Sequence, residues 1–293
     1  MKILLTGKTG QVGYELERSL RGLGEVVALS RAQMDLTSID QIRDVIRAIK
    51  PKLIVNAAAY TAVDRAETES ELAMLVNGEA PAVMAHEAKK LGAAMIHFST
   101  DYVFDGEKKS PYTESDPVGP INVYGHTKCA GEQAIQAEGI SHLVLRTSWV
   151  YGTRGNNFLL TVLRLAQERD ELRIVSDQFG APTWCKTIAD ATAHIVAQSI
   201  AAPSSAEWWR EHSGVYHLTA KGQATWYEFA RMILEYWSVT KKTKLISITT
   251  QEYPVTARRP MYSVMSCKRF GDFMYELPDW DRALQACSEN VEL

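Results

Sequence analysis

The chain has 293 residues, 46% of them hydrophobic and 23% charged, which predicts one large globular domain or two modest ones. Thirty-two Lys and Arg against 35 Asp and Glu give a net charge of −3, so no global field favours nucleic acid. No run of about 20 apolar residues is present for a spanning helix, and Ile3-Leu4-Leu5 is ended by Lys8, too short for the apolar core of a signal peptide.

Elements alternate through the first half. Lys2 to Thr6 predicts a strand, about Val12 to Leu23 a helix, Glu25 to Leu29 a strand and Ile39 to Ile49 a helix with apolar residues at helical spacing. Leu53 to Ala57 predicts a third strand, Ser70 to Leu91 a long helix, Ala94 to Ser99 a fourth strand, and about Asn122 to Ala137 a helix leading to a strand over His142 to Val150. This alternation points to right-handed crossovers and an α/β, doubly wound parallel sheet of Rossmann type.

The second half is looser. Asn156 to Gln167 predicts a helix, Leu172 to Val175 a strand, and Thr183 an N-cap for a helix running to about Ile200. Ala201 to Ser213, with Pro203 and Trp208-Trp209, reads as an exposed connection. Thr225 to Trp237 predicts an amphipathic helix and Pro254 to Tyr262 a loop. Residues 1–151 are expected to bind a dinucleotide, and residues 152–293 to form mainly a smaller mixed α/β substrate lobe, with some segments returning to the first domain. Cys129, Cys185, Cys267 and Cys287 show no metal-ligand spacing, so reduced thiols and a cytoplasmic protein are expected.

Gly7, Gly10 and Gly13 follow the first strand and open the first helix. That placement suits a phosphate loop: a tight turn, close backbone approach to pyrophosphate, and a helix N-terminus aimed at it. The second strand ends in Leu29-Ser30-Arg31, without the carboxylate that would repel a 2′-phosphate, so Ser30 and Arg31 predict NADPH over NADH, with NADH still possible. Tyr124 and Lys128 stand four apart, on one helical face. An ammonium there would lower the phenol's proton affinity and make Tyr124 an acid/base, with Lys128 also reaching a nicotinamide ribose. Thr100, and less strongly Ser99, end the fourth strand where such sheets bind ligands.

These features together resemble the extended short-chain dehydrogenase/reductases. Longer strings narrow the resemblance to the dTDP-4-dehydrorhamnose reductase family: Leu4-Leu5-Thr6-Gly7-Lys8-Thr9-Gly10-Gln11-Val12-Gly13, Val55 to Asp64, Ser99-Thr100-Asp101-Tyr102-Val103-Phe104-Asp105-Gly106, Asn122-Val123-Tyr124-Gly125, Arg146 to Tyr151, Asp177 to Thr183 and Arg258-Arg259-Pro260. The likeness covers almost the whole chain. It implies NADPH-dependent reduction of the 4-keto group of dTDP-4-dehydro-L-rhamnose, with Thr100, Tyr124 and Lys128 catalytic. It also implies that Gly10, Gln11 and Val12 hold the pyrophosphate, that Asp35 and Leu36 flank adenine, and that Ala58, Ala59, Tyr60 and Thr61 lie beneath the cofactor. Thr100, Asp101, Tyr102 and Trp149 would meet the sugar, while Asn157, the Asp177 to Thr183 segment, Arg258 and Arg259 would face the diphosphate.

Two rival readings stay open. One is another nucleotide-sugar reductase or epimerase; relatives that dehydrate carry Glu after the Asp, whereas Asp101 is followed by Tyr102. The other is a non-catalytic NADP-binding subunit, of the kind that partners methionine adenosyltransferase. The family is associated with Mg2+, but Trp184-Cys185-Lys186 after Thr183 offers no carboxylate, so no metal ligand is assigned. A monomer or a homodimer is expected, with no nucleic-acid or membrane partner.

Overall fold

The computed structural model describes residues 1–237 and 243–289. Strands β1 (Lys2–Thr6), β2 (Glu25–Leu29), β3 (Leu53–Asn56), β4 (Ala94–Thr100) and β5 (His142–Thr147) form a parallel sheet in the order β5-β4-β3-β1-β2. The chain runs outward from β1 to β2 and then returns to lay β3 on the other side of β1. The loops leaving β1 and β3 therefore part at the C-terminal edge and open a crevice.

The central strands are apolar almost throughout because both faces are covered. Ile3, Leu5, Val55, Ile96 and Leu145 pack on one face, against α1 (Gln11–Ser19); Leu4, Ile54 and Met95 pack on the other, against α2 (Ile39–Ile49). The first helix ends four residues earlier than the pattern predicts, and a turn at Leu20–Leu23 completes the stretch.

The long helix expected over 70–91 is interrupted. It consists of a short helix at Ser70–Met74, a π-helical turn at Leu75–Glu79 and a helix at Ala80–Leu91. Pro81 has no N–H for the Asn77 carbonyl four residues back, so regular α geometry cannot pass through this point. Asn77 is thereby left facing the site.

In the second half, a helix at Phe158–Glu168, a parallel strand pair (Glu171–Val175 with Lys244–Ile248) and helices at Trp226–Tyr236 and Trp280–Glu289 enclose a core of Tyr151, Leu159, Phe229, Ile233 and Leu284. Other segments return to the main sheet. Gly214–His217, which has no strand pattern of its own, pairs parallel with β5 as a sixth strand. The helix at Cys185–Ala201 packs beside α1, with Ile188 and Ile195 in the sheet core.

Two sequence expectations need correction here. Ala201 to Ser213 is not an exposed connection: Ser204 caps a helix at Ser205–Glu211 by accepting the Glu207 N–H at 3.3 Å, and Trp209 is buried in the sheet core. The edge strand that follows needs an apolar cover, and the two tryptophans supply it. Thr183 caps nothing. Its hydroxyl donates to Ala181 O and accepts from Ala220 N–H, and the helix starts at Cys185 without a side-chain cap.

Thr225 does cap. Its Oγ1 accepts the Glu228 N–H at 3.1 Å, and the Glu228 carboxylate accepts the Thr225 N–H at 2.7 Å. Thr225→Ala is expected to lower stability by about 1 kcal/mol, read from the urea midpoint at constant slope; an unchanged midpoint would show that the box contributes nothing.

Candidate active site

A cavity of about 780 Å³ fills the crevice at the ends of β1, β3 and β4. Gly7, Gly10, Gln11 and Val12 line one end. Gly7 has φ +72°, and a Cβ there would lie 2.8 Å from Ala58 N. A Cβ on Gly13 would meet Gly7 O at 2.1 Å, so Gly13 is a packing glycine behind the loop and does not line the cavity. Gly10 stands at the N-cap of α1 with no side chain over the helix end, leaving backbone N–H groups facing the cavity. That cradle fits a dinucleotide pyrophosphate.

Arg31, Asp35 and Leu36 line the next stretch, together with Met34 and Thr37. Hydrogen bonds from the Thr37 backbone and hydroxyl hold the Asp35 carboxyl below its usual range, with Arg31 at 3.5 Å adding to them. Ser30 does not line the cavity; its hydroxyl and N–H both donate to Gln33 Oε1. Ala58, Ala59, Tyr60 and Thr61 form the floor. Asn77 fixes this loop: its Oδ1 accepts the Tyr60 N–H at 2.9 Å, while Nδ2 donates to Tyr60 O and Thr127 Oγ1. Nothing local in the sequence marks Asn77, because its partners lie 17 and 50 residues away.

The reactive groups meet at the end of β4. Thr100 Oγ1 accepts the Tyr102 N–H and donates to Asp101 Oδ1, and it stands near enough to Tyr124 to act on its phenol. Tyr124 lies in the first turn of the helix at Val123–Glu138, which Asn122 caps by accepting the Gly125 N–H at 2.8 Å. Gly125 lets this turn approach Tyr102, where a Cβ would sit 2.2 Å from Tyr102 O. The rings of Tyr102 and Tyr124 consequently meet edge to face at 5.6 Å.

Lys128, buried one turn on, donates to Phe98 O at 2.6 Å and lies 3.2 Å from His97 Nε2. Burial pushes it down to about 8, against the field of Glu132. Tyr124 is half-buried and lines the cavity, and burial pushes the phenol up to about 12 although Thr100 lowers it. Lys128 Nζ meets Phe98 O and His97 here, and desolvation is the largest influence on the phenol.

Asp101 is also buried and is pushed up to about 6. Its carboxylate accepts from Ser263 Oγ at 2.6 Å, Ser148 Oγ at 3.1 Å and Thr100 Oγ1 at 3.1 Å. Ser99 Oγ is buried on the cavity wall with no hydrogen-bond partner among the described residues.

Trp149 lines the other end, with Tyr102 between it and the reactive groups. Its backbone is left-handed at φ +46°, and its indole stacks on Trp226 with centroids 3.5 Å apart. A Cβ on Gly180 would strike the Trp149 ring at 2.4 Å. Trp226, unassigned from the sequence, is signalled only by the capping box before it.

The remaining assignments fall outside the cavity lining. Asn157 caps its helix, and its amide nitrogen donates to Gly152 O and Gln11 Oε1, so it ties the second half to the phosphate loop. Arg259 pairs with Asp64 at 2.7 Å and donates to Ala257 O; Arg258 is exposed, its carbonyl accepting from Asn122. In the Asp177 to Thr183 segment, Asp177 accepts from Thr250, and Gln178 accepts from Trp226 Nε1. Asn157, Asp177, Gln178 and Arg259 thus have protein partners for their side chains, while the Arg258 side chain is exposed. Among the described residues no group of three or more His, Cys, Asp or Glu is placed to hold a metal, so no step is assigned to one, and no helix is long and apolar enough to cross a membrane.

The model of the RmlD substrate binding domain matches residues 1–293. A dTDP-4-dehydrorhamnose reductase of Burkholderia thailandensis is 48% identical over 99% of both chains. The dTDP-4-dehydrorhamnose reductase structure from Clostridium acetobutylicum superposes with TM-score 0.92 at 34% identity, covering 100% of each chain. That of Bacillus anthracis, solved in complex with NADP, has TM-score 0.90 and 32% identity over 99% of each chain.

Proposed function

Because this chain belongs to the dTDP-4-dehydrorhamnose reductase family, we propose that it uses NADPH to reduce the 4-keto group of dTDP-4-dehydro-L-rhamnose, giving dTDP-L-rhamnose. It is an oxidoreductase of that family. The carrying observation is that Thr100, Tyr124 and Lys128 line the same cavity as the glycine loop.

When bound, NADPH supplies the hydride for the carbonyl carbon. The Thr100 hydroxyl is placed to polarise the ketone oxygen, and Tyr124 to give that oxygen its proton. A phenol at about 12 is fully protonated at neutral pH, the form that reduction needs. The Lys128 ammonium then stabilises the phenolate left behind. Tyr102 follows Asp101, whose carboxylate is engaged by three hydroxyls, so the corner has no second carboxylate to pull a proton from a neighbouring sugar carbon. Reduction fits better than elimination. The four free thiols support a cytoplasmic enzyme.

The test is NADPH oxidation followed by absorbance, with the keto-sugar generated in situ. Saturable, sugar-dependent oxidation is expected; NADPH binding without turnover would overturn the reductase and favour a regulatory subunit. Arg31 is proposed to read the 2′-phosphate. Its side chain is 76% exposed, so Arg31→Ala is expected to lower the NADPH-over-NADH ratio of kcat/KM by about tenfold, the value of one charge-assisted contact. An unchanged ratio would remove Arg31 from that role.

A further inference from the structure

Behind the catalytic turn runs a row of four side chains from four elements: Thr6 of β1, Asn56 of β3, His97 of β4 and Lys128, each 2% exposed or less. Strand register makes Thr6, Asn56 and His97 direct neighbours. Thr6 Oγ1 lies 2.6 Å from Asn56 Oδ1, Asn56 Nδ2 3.0 Å from His97 Nδ1, and His97 Nε2 3.2 Å from Lys128 Nζ. Thr6 Oγ1 also accepts the Ala58 N–H at 3.3 Å, which joins the row to the cavity floor.

Proton counting constrains this row. A neutral imidazole has one N–H and one lone pair. A Lys128 ammonium has only protons to offer, so Nε2 must accept, the ring proton must sit on Nδ1, and Asn56 must present its oxygen. A Lys128 amine can accept instead: Nε2 then carries the proton, Nδ1 the lone pair, and Asn56 presents its nitrogen. Both amide orientations fit the same atomic positions, and the Thr6 hydroxyl can donate or accept to match either. Burial and the neighbouring Lys128 hold His97 well below its usual value, so the ring stays neutral in both arrangements.

We propose that His97 is a positioning residue for Lys128, giving Nζ a hydrogen-bond partner in both of its protonation states and so setting the pH range in which the lysine is charged beneath Tyr124. The proposal rests on the reductase reading for its kinetic arm. Glu132, on the lysine's own helix, favours the ammonium and is itself clamped by Arg146 of β5. Tyr124 stands one turn before Lys128, and Asp101 lies beyond Thr100. β3 presents the neutral Asn56, and the π-helical turn the neutral Asn77, bonded to Thr127.

Loss of Lys128's proton should end the reaction on the alkaline side. His97→Leu removes the partner of both states, but the charge-assisted bond to the ammonium is the stronger, so the ammonium loses more and the alkaline limb of kcat moves to lower pH. A shift of about one unit is expected, a roughly tenfold loss at pH 8 with little change at pH 6. His97→Gln keeps an acceptor and is expected to restore most of the limb. A loss by the same factor at every pH would show mere structural damage and overturn the proposal.

A second readout needs no turnover. Long-range 1H–15N spectra of wild type labelled with 15N-histidine report the ring tautomer, with His97→Gln assigning the signal among the seven histidines. The proton is expected on Nδ1 at about pH 6 and on Nε2 above about pH 9, on either side of the lysine's titration. One tautomer throughout would overturn the proposal. If wild type reduces no keto-sugar, the reductase reading fails, and the spectra still decide the role of His97.

Discussion

Tyr124→Phe is expected to lower kcat by about three orders of magnitude, as for loss of a general acid, while the Kd for NADPH stays within about twofold. The substitution removes one oxygen and keeps the ring. The edge-to-face contact with Tyr102 survives, Gly125 still allows the close approach to the Tyr102 carbonyl, and Asn122 still caps the turn. Geometry is therefore conserved, and the proton is lost. Thr100 cannot replace it, because an aliphatic hydroxyl can donate a hydrogen bond but is too weak an acid to give up its proton. Single-turnover rates beside NADPH titration would separate chemistry from binding. A near-normal rate would remove Tyr124 from the acid role.

The largest stability effect is expected at Glu132. Arg146 donates to it from Nε at 2.9 Å and from Nη2 at 2.7 Å, with side chains 4% and 2% exposed. Glu132→Ala leaves a guanidinium in the interior without its counter-charge, at a cost of about 3–5 kcal/mol. That is a large share of the roughly 5–15 kcal/mol that holds a folded domain together. Relief from nearby groups is poor: Arg146 Nη1 has no partner among the described residues, and neither does Nε2 of His217, its neighbour across the sheet. His217 is pushed down to about 3, by burial and by Arg146, so it stays neutral. Urea denaturation reads the loss directly. Replacing both partners, Glu132→Leu with Arg146→Met, should recover much of it, because neither charge is then stranded. A single-variant loss below about 1 kcal/mol would show that water reaches the arginine.

The parallel sheet, and the meeting of Thr100, Tyr124 and Lys128 at one cavity, were legible because their signals are contiguous. Near-continuous apolar runs mark β1 to β5, and the glycine and Tyr-to-Lys spacings each fall within a single turn or loop. What was hidden is long-range. The strand at Gly214–His217 is only four residues long, with just Val215 and Tyr216 to signal it, and exists because β5 offers it an edge. The helix at Ser205–Glu211 hides behind Pro203-Ser204, which read equally as a loop. Arg259 finds Asp64 at a separation of 195 residues, and Asn157 finds Gln11 at 146, contacts that no local pattern announces. The direction of the Tyr124 shift depends on enclosure by the folded chain, which residue spacing does not carry.

The stack at the sugar end has a consequence for redesign. Trp149, Gly180 and Trp226 come from three separate segments yet occupy one block of space. Any side chain at 180 displaces the indole, and any smaller residue at 149 opens a hole that Trp226 alone cannot close. Trp149 also sits in a backbone conformation that favours glycine, so its indole must hold a disfavoured backbone in place. Changing the enzyme's choice of sugar by single replacements at this wall would then mostly yield unstable variants. Libraries that vary the three positions together are the productive route, because each of them fills space that the other two bound.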